Sequence, residues 1–113
     1  MLTADGRKAL PALRANEGLE DPDDAICVVK FFSPYSDWTW YATEGAPVID
    51  EGQEVDFEFF GLVCGFEKEW GYFVLSELEG ATKMNGRLPL VERDCYWTPT
   101  SIRELKAKGV IRP

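Results

Sequence analysis

The stretch VDFEFFGLV, residues 55–63, decides the fold class of this chain. Its apolar residues alternate with Asp56 and Glu58 at the start, and from Phe60 onward both sets of alternating positions are apolar. Alternation with a period of two is typical of a β-strand with one buried face, and a continuous apolar run is typical of a strand covered on both faces. The stretch therefore predicts a central strand that begins half-exposed and ends buried.

Four other segments are rich in β-branched and aromatic residues, as residues 55–63 are, and polar turns separate them. The predicted strands are 26–32, 38–43, 55–63, 70–75 and 91–97. Residues 17–24 and 45–53 are predicted to be loops, and Asn85-Gly86 a turn, because Gly, Pro and polar residues dominate these segments. Since most links between strands are short, the strands are expected to pair antiparallel.

Three short helices are predicted from their capping signals. The first has Thr3 as its N-cap, and the second has Ser76 as its N-cap with Glu79 completing a capping box. The third has Thr100 or Ser101 as its N-cap and ends at Gly109. The fold is therefore predicted to be α+β, with an antiparallel sheet of about five strands, short helices at both termini and one before the last strand. The helices are expected to cover one face of the sheet.

The length and the cysteine pattern limit the class of protein. A chain of 113 residues is predicted to form one domain over residues 1–113. The N-terminal residues lack the basic and apolar regions of a signal peptide, and no apolar run reaches the roughly 20 residues of a membrane-spanning helix. Cys27, Cys64 and Cys95 are widely spaced within apolar runs, so they are predicted to be reduced residues packed in or near the core. A cytoplasmic location is expected.

The net charge of −8 is distributed unevenly along the chain. Residues 17–80 contain 16 acidic and two basic residues, whereas the two flanks together contain 10 basic and four acidic residues. This pattern predicts a field with an acidic middle and basic ends. The alternative is that the carboxylates only keep the protein soluble.

The residue types needed for common catalytic chemistry are scarce. The chain has no histidine, which excludes Ser-His and Cys-His nucleophile pairs and the commonest metal ligand. No glycine-rich phosphate-binding motif is present, and no cofactor or metal site is predicted. Two carboxylate pairs, Glu67 with Glu69 and Glu92 with Asp94, stay open as an acid–base alternative. The other interpretation of these carboxylates is that they form surface ion pairs.

Five motifs carry a resemblance to a known family. They are VKFFSP at 29–34, WTWY at 38–41, FGLVCGFE at 60–67, GYFVLSELE at 71–79 and LPLVERD at 88–94. The chain resembles a bacterial family of small proteins of unknown function that are encoded on plasmids, conjugative elements and phages. The resemblance spans nearly the whole chain. It implies an accessory protein of a mobile genetic element, and it implies no activity.

Aromatic residues and acidic loops are the candidate contact surfaces. Trp and Tyr often anchor protein interfaces, but the aromatic strands here lie in the acidic middle of the chain, which disfavours direct nucleic-acid binding. Residues 17–24 and 44–58 contain eleven carboxylates and no basic residue, a pattern that imitates a run of phosphates. The candidate partner-binding residues are Glu20, Asp21, Asp23, Asp24, Asp50, Glu51, Glu54, Asp56, Glu58, Trp38, Trp40 and Trp70.

The leading hypothesis from the sequence is a non-catalytic acidic binding protein that inhibits or modulates a host protein. The favoured form is inhibition of a nucleic-acid-binding defence complex, such as a CRISPR or restriction system, by imitation of nucleic acid. The alternative is a small enzyme that uses the clustered carboxylates, or a ligand-binding sheet lined by Trp40 and Tyr72. A weaker alternative gives the basic C-terminal helix a role with nucleic acid. The sequence leaves the oligomeric state open.

Overall fold

The computed structural model describes residues 1–83 and 88–112, and at positions 82, 83, 88 and 89 it describes the backbone only. The predicted turn at Asn85-Gly86 lies outside the described residues. In chain order the elements are α1 (Ala4–Ala9), a 3₁₀ turn (Pro22–Asp24), β1 (Ile26–Cys27), β2 (Val29–Phe32), β3 (Thr39–Asp50), β4 (Gln53–Cys64), β5 (Lys68–Val74), α2 (Leu75–Gly80), β6 (Thr82–Lys83), β7 (Leu88–Pro89), β8 (Glu92–Arg93), β9 (Thr100–Ser101) and α3 (Ile102–Ala107).

A five-stranded antiparallel sheet with the strand order β5-β4-β3-β2-β8 forms the centre of the fold. The strands β1 and β9 form a separate antiparallel pair, and so do β6 and β7. The predicted α+β class with about five antiparallel strands is confirmed.

The prediction of a loop at 45–53 is wrong, because β3 continues to Asp50 and pairs with β4 along its whole length. A two-residue turn joins the strands: Glu51 and Gly52 both have positive φ, 49° and 77°, as a type I′ hairpin turn requires. The strand β2 pairs only with residues 39–42 of β3, so within residues 1–83 and 88–112 the rest of β3 has no partner strand on that side. Pro47 is tolerated there because a strand edge does not need its missing N–H.

Apolar side chains pack on both faces of the sheet. The phenylalanine face carries Phe31, Phe57, Phe59 and Phe73, whose rings lie 5.1–5.3 Å apart in neighbouring pairs. Leu78 of α2 and Leu10 after α1 pack against it. The second face carries Tyr41, Leu62 and Trp70, and α3 covers part of it through Ile102 and Leu105. The helices thus lie on both faces, and the prediction of helices on one face only is wrong.

Two of the three predicted N-caps are confirmed. Thr3 Oγ1 accepts the Gly6 N–H of α1 at 3.0 Å, and Ser101 Oγ accepts the Glu104 N–H of α3 at 3.1 Å. The capping box at Ser76 is wrong, since α2 begins at Leu75 and Val74 occupies the N-cap position without a side-chain bond.

Instead, a carboxylate from β4 accepts a backbone N–H of the first turn of α2. Asp56 of β4 accepts the backbone N–H of Ser76 at 3.0 Å and also the Ser76 hydroxyl. The Ser76 hydroxyl, followed by the N–H of Phe57, lowers the pKa of Asp56.

The first and last predicted strands are shorter than expected. The segment 26–32 is divided at Val28, because Ile26 and Cys27 pair with β9 whereas residues 29–32 pair with β3. The segment 91–97 contributes only Glu92 and Arg93 to the sheet. It then turns at Asp94, whose side chain accepts the N–H of residue 96 at 2.9 Å.

This early turn also explains the positions of the cysteines. Cys27 is buried and Cys64 is partly buried, as predicted, and burial raises the pKa of both thiols. Cys95 lies beyond the end of β8 and is exposed, so its predicted place near the core is wrong. None of the helices formed by the described residues has the length and apolar character that a membrane span needs.

Candidate functional site

A cavity of about 400 Å³ opens on the second face of the sheet, between β3, β4, β5 and the N-terminal segment 14–25. We call it the Glu44 cavity. Its lining residues are Arg14, Asn16, Glu17, Leu19, Pro22, Ala25, Thr43, Glu44, Phe60, Trp70 and Tyr72. The sheet supplies the floor and the aromatic wall, and the N-terminal segment supplies the opposite wall.

A β-bulge directs Glu44 into this cavity. Ala42 of β3 is opposite Gly61 of β4, but the next pair is Glu44 with Phe60, so Thr43 is one extra residue on β3. A bulge bends the strand and redirects the side chains that follow it. Without the extra residue, strict alternation would place Glu44 on the phenylalanine face with Ala42. With it, Thr43 and Glu44 both line the cavity, and the Thr43 hydroxyl donates to the Phe60 carbonyl at 3.1 Å.

The Glu44 carboxylate is buried and holds the N-terminal segment in place. The residue is 3% exposed. Its Oε1 accepts the backbone N–H of Arg14 at 2.7 Å, and its Oε2 accepts the backbone N–H of Asn16 at 2.8 Å. None of the ion pairs among the described residues includes Glu44. Arg14 has a φ of 72°, a left-handed conformation that costs free energy in a non-glycine residue.

Three aromatic rings form the wall opposite the N-terminal segment. Phe60 and Trp70 are stacked, with ring centroids 5.9 Å apart and an angle of 16° between the planes. The Phe60 and Tyr72 centroids lie 4.9 Å apart at 60°, and Tyr72 is 58% exposed. The wall is therefore apolar, with an accessible phenol at its edge.

Asn16 lines the cavity and also carries an unsatisfied donor that is buried and not exposed to the cavity. Its side-chain nitrogen Nδ2 is buried and has no hydrogen-bond partner among the described residues. A buried donor without a partner costs about 1–3 kcal/mol, so such groups are rare in folded proteins.

An ion pair lies at the mouth of the Glu44 cavity. Arg14 Nε donates to Glu17 Oε2 at 3.1 Å, and a second bond of the same length joins Arg14 Nη2 to Glu17 Oε1. These bonds lower the pKa of the Glu17 carboxyl. Both side chains are well exposed, at 72% and 63%. The pair is electrically neutral, which leaves Glu44 as the uncompensated charge among the described residues that line the cavity.

The acidic segment 17–24 faces α3 and is largely neutralised by it. Arg103 pairs with Asp21 and with Asp24, and Lys106 Nζ lies 2.8 Å from Asp23 Oδ2. The N–H of Asp23, followed by the Arg103 guanidinium, lowers the pKa of Asp21. Three of the predicted partner-binding carboxylates therefore already have partners within the chain. Glu20 of the same segment is exposed.

The carboxylates of the β3–β4 hairpin have different surroundings. Glu54 pairs with Arg7 of α1, and that hydrogen bond lowers the pKa of Glu54. Glu58 is partly buried, whereas Asp50 and Glu51 lie exposed at the tip of the hairpin. Glu54 and Asp56, of which the latter binds Ser76, are therefore two predicted partner-binding carboxylates that already have partners within the chain.

The predicted tryptophans do not form one surface. Trp38 lies against Trp40, with ring centroids 6.0 Å apart, and against the exposed Phe66 at 5.6 Å. Trp40 packs against the core of the phenylalanine face, whereas Trp70 and Tyr72 line the cavity on the second face. The structure therefore does not bring Trp40 and Tyr72 together.

The two candidate carboxylate pairs lie outside the Glu44 cavity. Glu67 and Glu69 are exposed near the β4–β5 turn. Asp94 lies 3.8 Å from Lys30 Nζ, and Glu92 is exposed. Among the residues that the structure describes, no three His, Cys, Asp or Glu side chains are grouped to hold a metal ion.

Sequence reasoning did not find the Glu44 cavity. It assigned Glu44 to an acidic loop, because residues 45–53 were predicted to be a loop and the strand before them was predicted to end at residue 43. The available signal was a single charged residue inside the otherwise uncharged run WYATEGAPV, residues 40–48. A lone carboxylate in such a run is expected to be buried and hydrogen-bonded.

Comparisons with known proteins agree with the resemblance in the sequence. No curated protein and no solved structure matches the chain. A family model described as "Protein of unknown function (DUF2958)" matches residues 1–105. The chain therefore belongs to this family of proteins of unknown function.

Proposed function

We propose that this protein is a non-catalytic binding protein and that the Glu44 cavity is its ligand site. The observation that carries the proposal is the Glu44 carboxylate, which is 3% exposed, is aimed into the cavity by a bulge and has no cationic partner among the described residues. Ligand cavities are typically apolar clefts with a few fixed polar groups. The Glu44 cavity has this character, with three aromatic rings and one fixed carboxylate.

The arrangement of carboxylates favours binding over acid–base catalysis. The acid–base chemistry of glycoside hydrolysis uses two carboxylates that flank the reacting bond. The cavity is lined by Glu44 and Glu17, but Arg14 holds Glu17 at the mouth in a bidentate pair. One fixed carboxylate orients a ligand without supplying a second group for proton transfer.

A fragment screen followed by NMR tests this function. We expect hits that shift the backbone amide signals of Arg14 and Asn16 and the indole signal of Trp70. Tyr72→Ala should weaken these hits without unfolding the protein, because the Tyr72 side chain is largely exposed. Tyr96→Ala is the matched control, since Tyr96 is 95% exposed and does not line the cavity. Hits that map elsewhere, or an equal loss in both variants, would contradict the proposal.

A macromolecular partner at the hairpin tip is a second candidate. Asp50 and Glu51 are exposed there and take part in none of the ion pairs among the described residues. Ile49 and Val55 beside them are 57% and 59% exposed. Apolar residues bordered by charge are typical of protein interfaces. In its specific form, the protein of a mobile genetic element presents this tip to a basic nucleic-acid channel of a host defence complex.

A pull-down from host lysate tests the second candidate. The wild-type protein is expected to retain a partner at low salt and release it at high salt, because charge pairing in an open interface is screened. The double variant Asp50→Asn/Glu51→Gln should lose the partner, whereas the control Glu67→Gln/Glu69→Gln should keep it. Retention by both variants, or absence of any partner at low salt, would exclude the hairpin tip. For either function we propose a cytoplasmic location, which the three free cysteines support.

A further inference from the structure

We infer that the Glu44 cavity binds a guanidinium group of the kind that an arginine derivative carries. This inference rests on the proposed function, because it names the class of ligand for the same cavity. Two features of the cavity support it: the charge of Glu44 and the aromatic wall.

The charge of Glu44 calls for a cation. A buried carboxylate is costly unless it is paired or fully hydrogen-bonded. Glu44 accepts one backbone N–H at each oxygen, from Arg14 and from Asn16. Each carboxylate oxygen has a further acceptor site. A guanidinium presents parallel N–H donors with the spacing of a carboxylate, so it can occupy both remaining sites at once.

The aromatic wall suits the same group. Cations bind over the faces of Trp, Tyr and Phe rings, and the planar guanidinium also stacks on them. Phe60, Trp70 and Tyr72 supply three such rings beside Glu44. The Arg14 guanidinium does not fill this place, because it is bonded to Glu17 and its side chain is 72% exposed.

The size of the cavity admits a ligand larger than the guanidinium alone. An arginine derivative carries a guanidinium on a short apolar chain, which can lie against the aromatic wall. A cavity of about 400 Å³ has room for a ligand of that size.

Titration calorimetry with two matched ligands tests the inference. N-acetyl-arginine amide and N-acetyl-citrulline amide have nearly the same shape, but citrulline has a neutral urea in place of the guanidinium. We expect the arginine derivative to bind about tenfold or more tightly than the citrulline derivative, the difference that one charge-assisted contact provides. Agmatine and an arginine-containing tetrapeptide, as two further arms, distinguish a small-molecule source of the guanidinium from a peptide source.

Three variants link the affinity to the cavity. Glu44→Gln should reduce the affinity for the arginine derivative about tenfold or more. Tyr72→Ala should weaken binding and Tyr96→Ala should not, because Tyr72 lines the cavity and Tyr96 does not. If Glu44→Gln fails to fold, the Tyr72 and Tyr96 variants decide the question.

The outcomes separate this inference from the proposed function. Equal binding of the arginine and citrulline derivatives at the cavity would overturn the guanidinium inference and leave a ligand site in place. A fragment hit at the cavity without binding of the arginine derivative would do the same. If neither derivative binds and the fragment screen gives no hit at the cavity, both proposals fail.

Discussion

The substitution Glu44→Ala should loosen the N-terminal segment while the sheet stays folded. In the wild-type protein the carboxylate accepts the N–H of Arg14 at 2.7 Å and the N–H of Asn16 at 2.8 Å. These bonds fix the turn that carries Arg14 in its left-handed conformation. A third bond, from the Gly45 N–H to the Pro11 carbonyl at 2.9 Å, does not involve the carboxylate and should survive.

The size of the effect follows from these two bonds. A hydrogen bond to a charged group contributes about 1.5–3 kcal/mol to stability, so two of them set an upper limit of about 6 kcal/mol. The cavity is open, so water can partly satisfy the released N–H groups. We therefore expect Glu44→Ala to lower the free energy of unfolding by about 3 kcal/mol. This is a large part of the 5–15 kcal/mol that stabilises a typical domain.

Urea denaturation and hydrogen exchange measure this effect. With an m-value of about 2 kcal/mol/M, the urea midpoint should fall by about 1.5 M. The amide hydrogens of Arg14 and Asn16 should exchange slowly in the wild type and fast in the variant. The control Glu67→Ala removes an exposed carboxylate and should change stability by less than about 0.5 kcal/mol. A loss below about 1 kcal/mol for Glu44→Ala, or unchanged protection of the two amides, would refute the reasoning.

Three further predictions concern the sheet, the thiols and the acid stability. Gly61→Ala should destabilise the protein by about 3 kcal/mol or more, because a Cβ there would lie 1.9 Å from a backbone oxygen of β3. The control Gly71→Ala lies on the paired strand, where a Cβ meets nothing within 4 Å, and it should cost under about 1 kcal/mol. The urea midpoints of the two variants measure the difference. In the native protein Cys95 should react with a thiol reagent much faster than the other two cysteines, and Cys95→Ser should remove the fast phase. The pKa of Asp21 is lowered in the folded state, so its stabilising contribution is present above the ordinary value of about 4 and is lost as the pH falls below it. Arg103→Gln should therefore reduce stability at pH 7 more than at pH 3, and an equal loss at both pH values would contradict this assignment.

The strands with the strongest sequence signals could be predicted. Residues 55–63 begin with the period of two and residues 70–75 are rich in aromatic and β-branched side chains, and the structure contains β4 and β5 there. The hairpin at 45–53 could not be predicted in the same way, because Gly45, Pro47 and Gly52 are typical of loops. These residues are compatible with a strand only because this part of β3 lies at an edge and ends in a type I′ turn.

The acidic middle and the basic ends of the chain, which the sequence indicated as separate regions of charge, pair with each other in the fold. An acidic middle and basic ends are separate along the chain, but the fold places Arg103 and Lys106 of α3 against the acidic segment 17–24. In the same way it places Arg7 of α1 against Glu54. Sequence distance gives no measure of these contacts, since the paired residues are 47 to 83 positions apart. The predicted acidic surface is therefore smaller than the count of carboxylates suggests.

The cavity was beyond sequence reasoning because its position depends on the bulge at Thr43. Along β3 the alternation of Trp40, Tyr41 and Ala42 predicts that Glu44 points to the phenylalanine face. One extra residue reverses this direction for the positions that follow it, as far as the second register shift after Val48. No rule of residue preference marks Thr43 as that residue.

The bulge at Thr43 also limits which length changes this strand can accept. Deleting Thr43 would shift residues 44–48, which lie before the second register shift, by one position and exchange their side chains between the two faces of the hairpin. Glu44 would then point toward the rings of Phe57 and Phe59, and the cavity would lose its carboxylate. A single substitution at Thr43 would keep the residue count and therefore the direction of Glu44. For this strand, then, the number of residues is a stricter requirement than their identity, and relatives that share the cavity are expected to vary here by substitution and to avoid insertions and deletions.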